Sequence, residues 1–538
     1  TYGRDLVSHT GPLFRSARTE GGQLRLEFDG AEGGLEIRGG PLRDMWIAGA
    51  DRRFFVADAV VDGESLLVSS PFVTAPVAAR YGWRNQSLPN LYNVAKLPAS
   101  SFRTDNWTLD EVIAPEGVAA TEHLTSSSEF VSLYNGRDLS GWVNVNCAPS
   151  TWTAKPDRIF CSGVPTGVLR TEKQYENFEL ELEWRHLARQ GNAGLFVWSD
   201  ALTARGQPFT RSVEVQVMSG MEGEGYTSDG DVFPIHGATL KPLTGRGGSR
   251  AFPTEARANP SGEWNHYRVK CVNGVLELAV NGKVVTRGEQ ASPRKGYICL
   301  EAEGAPVEFR NLRLKELPPA QPPLAPEHVA ELDQGFRSLY NGVDFTGWKF
   351  GPEHQGHWRA ADWTIDFDGQ GADLWTEEEF GDFVLIADWR WSGPAQAADL
   401  AVILPDGSQA IGADGKPQTA RVMEAGDSGI YLRGSSKSQV NIWCWPIGSG
   451  EVYGYRTDAS MPPDVRAGVT PKAVADAPLG EWNRFEITMK GEQLSVVLNG
   501  RLVIDRARLP GVAARGPIAL QKHGSPIQFA NLYIKKLD

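Results

Sequence analysis

The feature that most constrains this chain is that it repeats itself. SLYNGRDLSGW at 132–142 returns as SLYNGVDFTGW at 338–348, with eight of eleven positions identical. GEWN at 262–265 returns at 480–483, and Asn281-Gly282 returns as Asn499-Gly500. The stretch 296–317 matches 516–537 at ten of 22 positions. The order is kept, so a whole domain of roughly 190–200 residues has been duplicated, rather than a short solenoid unit. The copies span 129–317 and 335–538. Between them, 318–334 carries a proline cluster, and proline fixes φ and cannot donate to a ladder. An extended spacer is expected there, with a short helical stretch near Glu327–Leu332.

Inside each copy the pattern is that of strands. Phe178-Glu-Leu-Glu-Leu-Glu-Trp184 alternates apolar and charged residues, as a half-buried strand does. The runs 275–285 and 494–503 each read as two strands joined at an Asn-Gly turn, a strong hairpin signal. Residues 1–115 are unrelated to the repeat and alternate at 24–28 and 34–37, which suggests a small β-sandwich. A polar linker over Ile113–Ser128 leads to the first copy. The fold class is therefore all-β: a small N-terminal sandwich followed by two tandem sandwiches or jelly rolls. The 59 Gly and 34 Pro agree with a turn-rich architecture.

Composition removes several partners. The net charge is −12, and no basic run of five or more residues is present, so nucleic acid is not an expected partner. No stretch approaches 18 apolar residues, so no membrane span is expected. The start, Thr1-Tyr2-Gly3-Arg4-Asp5, has neither Met nor a leader pattern, and the chain is expected to be a processed or truncated product. The five cysteines include no C-x-x-C spacing. Cys147–Cys161 as a local bridge and buried free thiols both remain open. The 17 tryptophans are expected mainly in cores, with a few stacking on sugar rings.

These motifs carry a resemblance. SLYNGxDxxGW, GEWN before the Asn-Gly hairpin, and the terminal GAPVEFRN (304–311) and GSPIQFAN (524–531) look like the 3-keto-disaccharide hydrolase domain family, a concanavalin-like jelly roll. DSGIYLR (427–433) and QVNIW (439–443) match it as well. The N-terminal unit, with LPNLYN (88–93) and LPASSFRTD (97–105), resembles the C-terminal β-domain of sialate O-acetylesterase-like proteins. No nucleophile carries over from that likeness, since His9 and His123 have no evident partner. The first resemblance implies a carbohydrate-active hydrolase or lyase acting on 3-keto-glycosides. The 3-keto group acidifies the C2 proton, a base removes it, and the enolate expels the C1 substituent. The alternative is a glycan-binding region for an esterase catalytic domain, which would be a partner upstream. An oligosaccharide, polysaccharide or modified glycoside is the implied ligand. An extracytoplasmic location is implied only by the resemblance.

In the second copy the candidate residues are His523 and Glu424 as bases, and Arg433 as an anion stabiliser. Asn441, Trp443, Gln439 and Gln521 are candidate sugar contacts, because a spacing of two places residues on one strand face. In the first copy the equivalent positions are Trp198 for Arg433, Glu214 for Gln439, Gln216 for Asn441, Met218 for Trp443, and Glu301 and Glu303 for Gln521 and His523. That set is acidic; Trp198, Glu214 and Gln216 are candidate sugar contacts there, with His236, which shares the loop of Asp229 and Asp231. No cofactor is required. A divalent cation, Ca or Mn, is a possible ligand of Asp229 and Asp231, although Asp-x-Asp alone is a weak signal.

Overall fold

The computed structural model describes residues 10–38, 42–52, 54–70, 73–82, 90–107, 130–189, 191–219, 229–245 and 247–537. The linker 113–128, His9, His123, Leu88-Pro89, and Tyr226–Ser228 ahead of Asp229 lie outside the described residues. The chain divides into two compact units, an N-terminal one and one that holds both copies. It is all-β, as its alternation demands.

In the N-terminal unit, Leu13–Glu20, Gln23–Asp29, Ser65–Ser69 and Asp58–Asp62 form one antiparallel sheet. Phe102–Arg103, Ala78–Tyr81, Met45–Ala48 and Phe54–Val56 form another. Leu24, Leu26 and Phe28 share a buried cluster with Ile47, Ala79 and Tyr81, while Arg25 and Glu27 between them make ion pairs. This is the period-two pattern of a sandwich.

Each copy pairs a large sheet with a smaller one. In the first, the large sheet is nine-stranded; Phe178–His186 lies between Val307–Glu316 and Asn265–Val272. The smaller, six-stranded sheet carries Gly191–Ser199 between Tyr297–Ala302 and Ser212–Ser219. The second copy has an eight-stranded sheet centred on Phe383–Trp391 and Ile527–Lys536. Its smaller sheet runs Leu374–Phe380, Gly516–Leu520, Asp427–Leu432, Ser435–Trp443. Apolar side chains of both sheets meet in one buried cluster per copy. Each fully buried aliphatic side chain stabilises by about 1.5–3 kcal/mol. Both Asn-Gly hairpins adopt the left-handed backbone that such turns need, with φ of 46° and 86° at Asn281-Gly282 and 52° and 80° at Asn499-Gly500.

The segment between the copies is not a free spacer along its whole length. Pro326–His328 forms a single 3-10 turn. The following residues lie along the first copy: Ala330 N donates to Lys295 O, Glu331 N to Asp200 Oδ1, and Asp333 accepts from the buried Arg170. All five cysteines are free thiols, so Cys147 and Cys161 are not bridged.

The two copies are joined face to back. Val168, Phe196, Tyr297 and Cys299, on the outer face of the first copy's smaller sheet, share a buried cluster with Ile386 and Tyr533 on the second copy's large sheet. Asp388 is fully buried at this junction. It accepts from Arg484 Nε at 2.6 Å, from Asn531 Nδ2 at 2.8 Å and from Gly206 N at 2.7 Å. Arg484 also donates to Thr203 O, and Thr203 Oγ1 lies 2.8 Å from the Tyr533 hydroxyl. A buried charge is tolerated only when its lone pairs are met in this way. Asp388→Ala should therefore cost about 3 kcal/mol. The expected readout is two separated unfolding transitions in calorimetry; a single unshifted transition would contradict the role given to this carboxylate.

Candidate functional site

The second copy leaves the outer face of its smaller sheet for function. Ile430, Leu432, Val440, Ile442, Ile518 and Leu520 point into the core. The alternate positions therefore place Asp427, Tyr431, Gln439, Asn441, Trp443 and Gln521 on the other face. Cross-strand register sets them beside one another: Asp427 opposite Trp443, Gly429 opposite Asn441, Tyr431 opposite Gln439. Gly429 is required by this packing, because a Cβ there would lie 2.2 Å from Gln439 Nε2. The Gln439 amide donates to Ser428 O at 3.1 Å and to Gln521 Oε1 at 2.5 Å, which fixes both amides. Asn441 is buried, and its Oδ1 has no protein partner. Trp375 and Tyr431 form an aromatic wall, ring centroids 5.6 Å apart. Trp443 stacks on Trp445 at 4.4 Å and anchors its indole N–H on Gly448 O.

At one end of this face sits an acid–base group. Asp427 Oδ2 lies 3.9 Å from His523 Nδ1. Burial pushes the Asp427 carboxyl up to about 6, opposed by the His523 charge and assisted by Glu424. Glu451 is fully buried and paired with Arg456; burial lifts it to about 7, and the Asp427 charge adds to the lift. His523, Glu424, Asn441, Trp443, Gln439 and Gln521 are thus assembled in one region. Asp427 and Glu451 join them without having been singled out by sequence. Asp427 stood at the head of DSGIYLR, two residues from Gly429, where strand periodicity could have placed it. Glu451 gave no such signal, since it is brought in by a loop whose backbone pairs with Asn441.

Arg433 does not belong to this group. Its backbone is left-handed, φ 49°. Its side chain is buried at the far end of the sandwich, where it donates to Gly381 O, Gly491 O, Ala513 O and Asp382 Oδ1. A guanidinium with its donors used in this way ties turns together and has none aimed at the site. Trp198 occupies the equivalent place in the first copy, again with a left-handed φ of 56°. It is fully buried in the core, its N–H on Glu176 O, so it cannot stack on a sugar.

The first copy's face is acidic. Glu214, Gln216 and Glu301 are 6%, 3% and 1% exposed. Gly194 leaves room for the two carboxyls, since a Cβ there would lie 2.4 Å from Glu301 Oε2 and 3.1 Å from Glu214 Oε1. Gln216 donates to Asn192 Oδ1, and Asn192 donates to Glu303. Burial first, then neighbouring carboxylates, pushes Glu214 up to about 8 and Glu301 well above the usual range. Asp231 is buried and paired with Arg250 at 3.1 Å, and Asp229 is pushed up to about 7 by burial and Asp231. His236 ends the edge strand Val232–Ile235 and is shifted down by burial. Among the described residues, no three His, Cys, Asp or Glu side chains come together as a metal site.

The folded protein keeps the Glu214 proton to about pH 8, whereas an unfolded chain releases it near the ordinary carboxylate value. Stability should therefore fall as pH rises between those limits. Glu214→Gln should flatten that fall and stabilise the protein at about pH 8 by more than about 1 kcal/mol. Denaturant midpoints measured across this range would check it; parallel curves for both proteins would sink it.

The 3-keto-alpha-glucoside-1,2-lyase-like domain model matches twice, over 129–315 and 335–535. A 3-keto-disaccharide hydrolase of Bacteroides thetaiotaomicron is 24% identical over 232 residues, 35% of this chain and 78% of that protein. A carbohydrate acetylesterase from Xanthomonas citri is 45% identical where it aligns, over 20% of this chain and 25% of its own length, with a TM-score of 0.19. The chain thus spans about a quarter of that esterase. A putative glycosyl hydrolase from Parabacteroides distasonis is 22% identical over 35% of this chain and 94% of its own, with a TM-score of 0.28.

Proposed function

This chain belongs to the 3-keto-alpha-glucoside-1,2-lyase-like domain family, which carries a carbohydrate hydrolase-family function, and from that premise we propose that its second copy cleaves glycosides oxidised at C3 of the sugar. The observation that carries the reading is Asp427: a half-buried carboxyl, lifted to about 6, facing an imidazole across 3.9 Å. A base near the working pH combines a useful ionised fraction with enough driving force to take a proton. Lifted carboxyls also cluster where acid–base chemistry is done.

In this reading the sugar lies along the Trp375–Tyr431 wall. Asp427 takes the C2 proton, and the C–H electrons become the enolate of the C3 ketone. With Arg433 committed elsewhere, the amides of Gln521 and Asn441 are the donors that meet the enolate oxygen. The enolate collapses, C1=C2 forms, and the C1–O bond breaks. The departing oxygen takes a proton from protonated His523. Water then adds across C1=C2: its hydroxyl goes to C1, its other proton returns to His523, and Asp427 gives its proton back to C2, so that the net change is hydrolysis. Glu424 raises the Asp427 affinity for protons without having to touch the sugar. An extracytoplasmic location is part of the same proposal, as is an esterase catalytic domain working beside the N-terminal unit on the same glycan. A glycan-binding role alone would leave the lifted Asp427 carboxyl without a use.

The test is release of 4-nitrophenol from its 3-keto-glucoside. The rate, kcat/KM, should rise with pH through about 6, as Asp427 loses its proton. Asp427→Asn should lower kcat by about 10²–10⁴-fold and remove that limb. A variant that keeps more than about a tenth of the rate with the limb intact would rule out Asp427 as the base.

A further inference from the structure

Next to the acid–base group, a cavity of about 160 Å³ opens at the same end of the second sandwich. Its lining includes Trp391, Trp443, Trp445, Met423, Leu479 and Asp476. We propose that this slot holds the departing group of the substrate, and that it selects an aryl group that leaves as a phenol, whose freed hydroxyl is its one hydrogen-bond donor. The inference rests on the catalytic reading above, since Trp443 is the common wall: it lies opposite Asp427 in the sheet and its indole lines the slot.

Size, shape and polarity point the same way. An apolar protein cavity of roughly 150 Å³ takes up a benzene molecule. The parallel indoles of Trp443 and Trp445, interplanar angle 8°, stiffen one flank. The Trp443 N–H is already used by Gly448 O, so that ring presents only its apolar surface. At the mouth, Met423 and Leu479 are 52% and 42% exposed, which leaves large apolar side chains in water beside a hollow of matching character.

The polar groups discriminate between ligands. Asn483 Oδ1 is taken by Ala477 N and by Asn499 Nδ2. Asp476 Oδ2 accepts from Ser449 N at 3.0 Å, whereas Oδ1 is buried with no partner in the protein. A buried acceptor left alone is costly, and a single ligand hydroxyl would remove that cost. A pyranose brings several hydroxyls, each of which would need a partner on entering the slot. A phenol brings one, and its ring matches the tryptophan walls.

The experiment uses the full chain with phenol, anisole, and the phenyl and methyl 3-keto-glucosides. Saturation-transfer NMR should show phenol bound, anisole bound more weakly, and both lost in Leu479→Asp and in Trp445→Ala. The phenyl-to-methyl ratio of kcat/KM should fall at least about tenfold in both variants, a comparison that cancels the better leaving ability of phenol. No transfer to phenol from the intact chain overturns the inference, as does transfer that neither variant diminishes. Phenol binding that the variants abolish, with neither glucoside cleaved, supports the aryl slot and overturns the catalytic reading instead.

Discussion

The structure depends on one buried carboxylate. Asp388 would be costly at a junction between two sandwiches if any of its lone pairs were stranded. Arg484, Asn531 and the Gly206 amide meet it together, and two of these come from strands of the second copy while the third comes from a loop of the first. The surrounding surface is built for the same purpose. In the second copy the cross-strand pair at the junction is Ile386 opposite Tyr533. At the matching register of the first copy the pair is Glu181 opposite Arg313, joined by an ion pair whose arginine is exposed. Duplication therefore yielded two similar frames, and replacement of a charged pair by an apolar one made only the second copy's large sheet a docking face.

That docking decides which face is free. It covers much of the outer face of the first copy's smaller sheet, where Phe196, Tyr297 and Cys299 are buried against the second copy. It uses the second copy's large sheet through Ile386 and Tyr533. The two copies thus stack in one direction, and the strands Asp427–Leu432 and Ser435–Trp443 of the second copy take no part in the cluster that joins them. Sequence alone treated the faces as equals, because contacts between Thr203 and Tyr533, 330 residues apart, leave no periodic trace.

Local pattern was legible and direction was not. Alternation at 178–184 gave the strand, and the Asn-Gly turns gave the hairpins. The alignment of Glu214 with Gln439 and of Gln216 with Asn441 survives in the register of the two sheets. Arg433 and Trp198 were also matched at equivalent positions. Their shared left-handed backbone breaks the alternation there, so both side chains serve the end of the sandwich instead of the face that simple spacing suggested. Asp427 was hidden for the opposite reason. It obeys the alternation, yet a lone aspartate at a strand start reads as a turn residue until burial and His523 give it a chemical character.

The divergence of the two faces follows from how each handles burial of acid. In the first copy desolvation pushes the carboxyls of Glu214, Glu301 and Glu303 up, and neighbouring carboxylates add to the rise of Glu214 and Glu301. Such groups donate hydrogen bonds well and accept protons poorly. In the second copy Gln439 and Gln521 replace Glu214 and Glu301 with neutral amides, and His523 replaces Glu303. Asp427 is left between an attractive imidazole and a repulsive Glu424. The opposing influences leave it able to take and return a proton near neutrality. The same frame thus carries raised, crowded carboxyls on one copy's face and a carboxyl beside an imidazole and neutral amides on the other, with the change made by a handful of side chains on one sheet face.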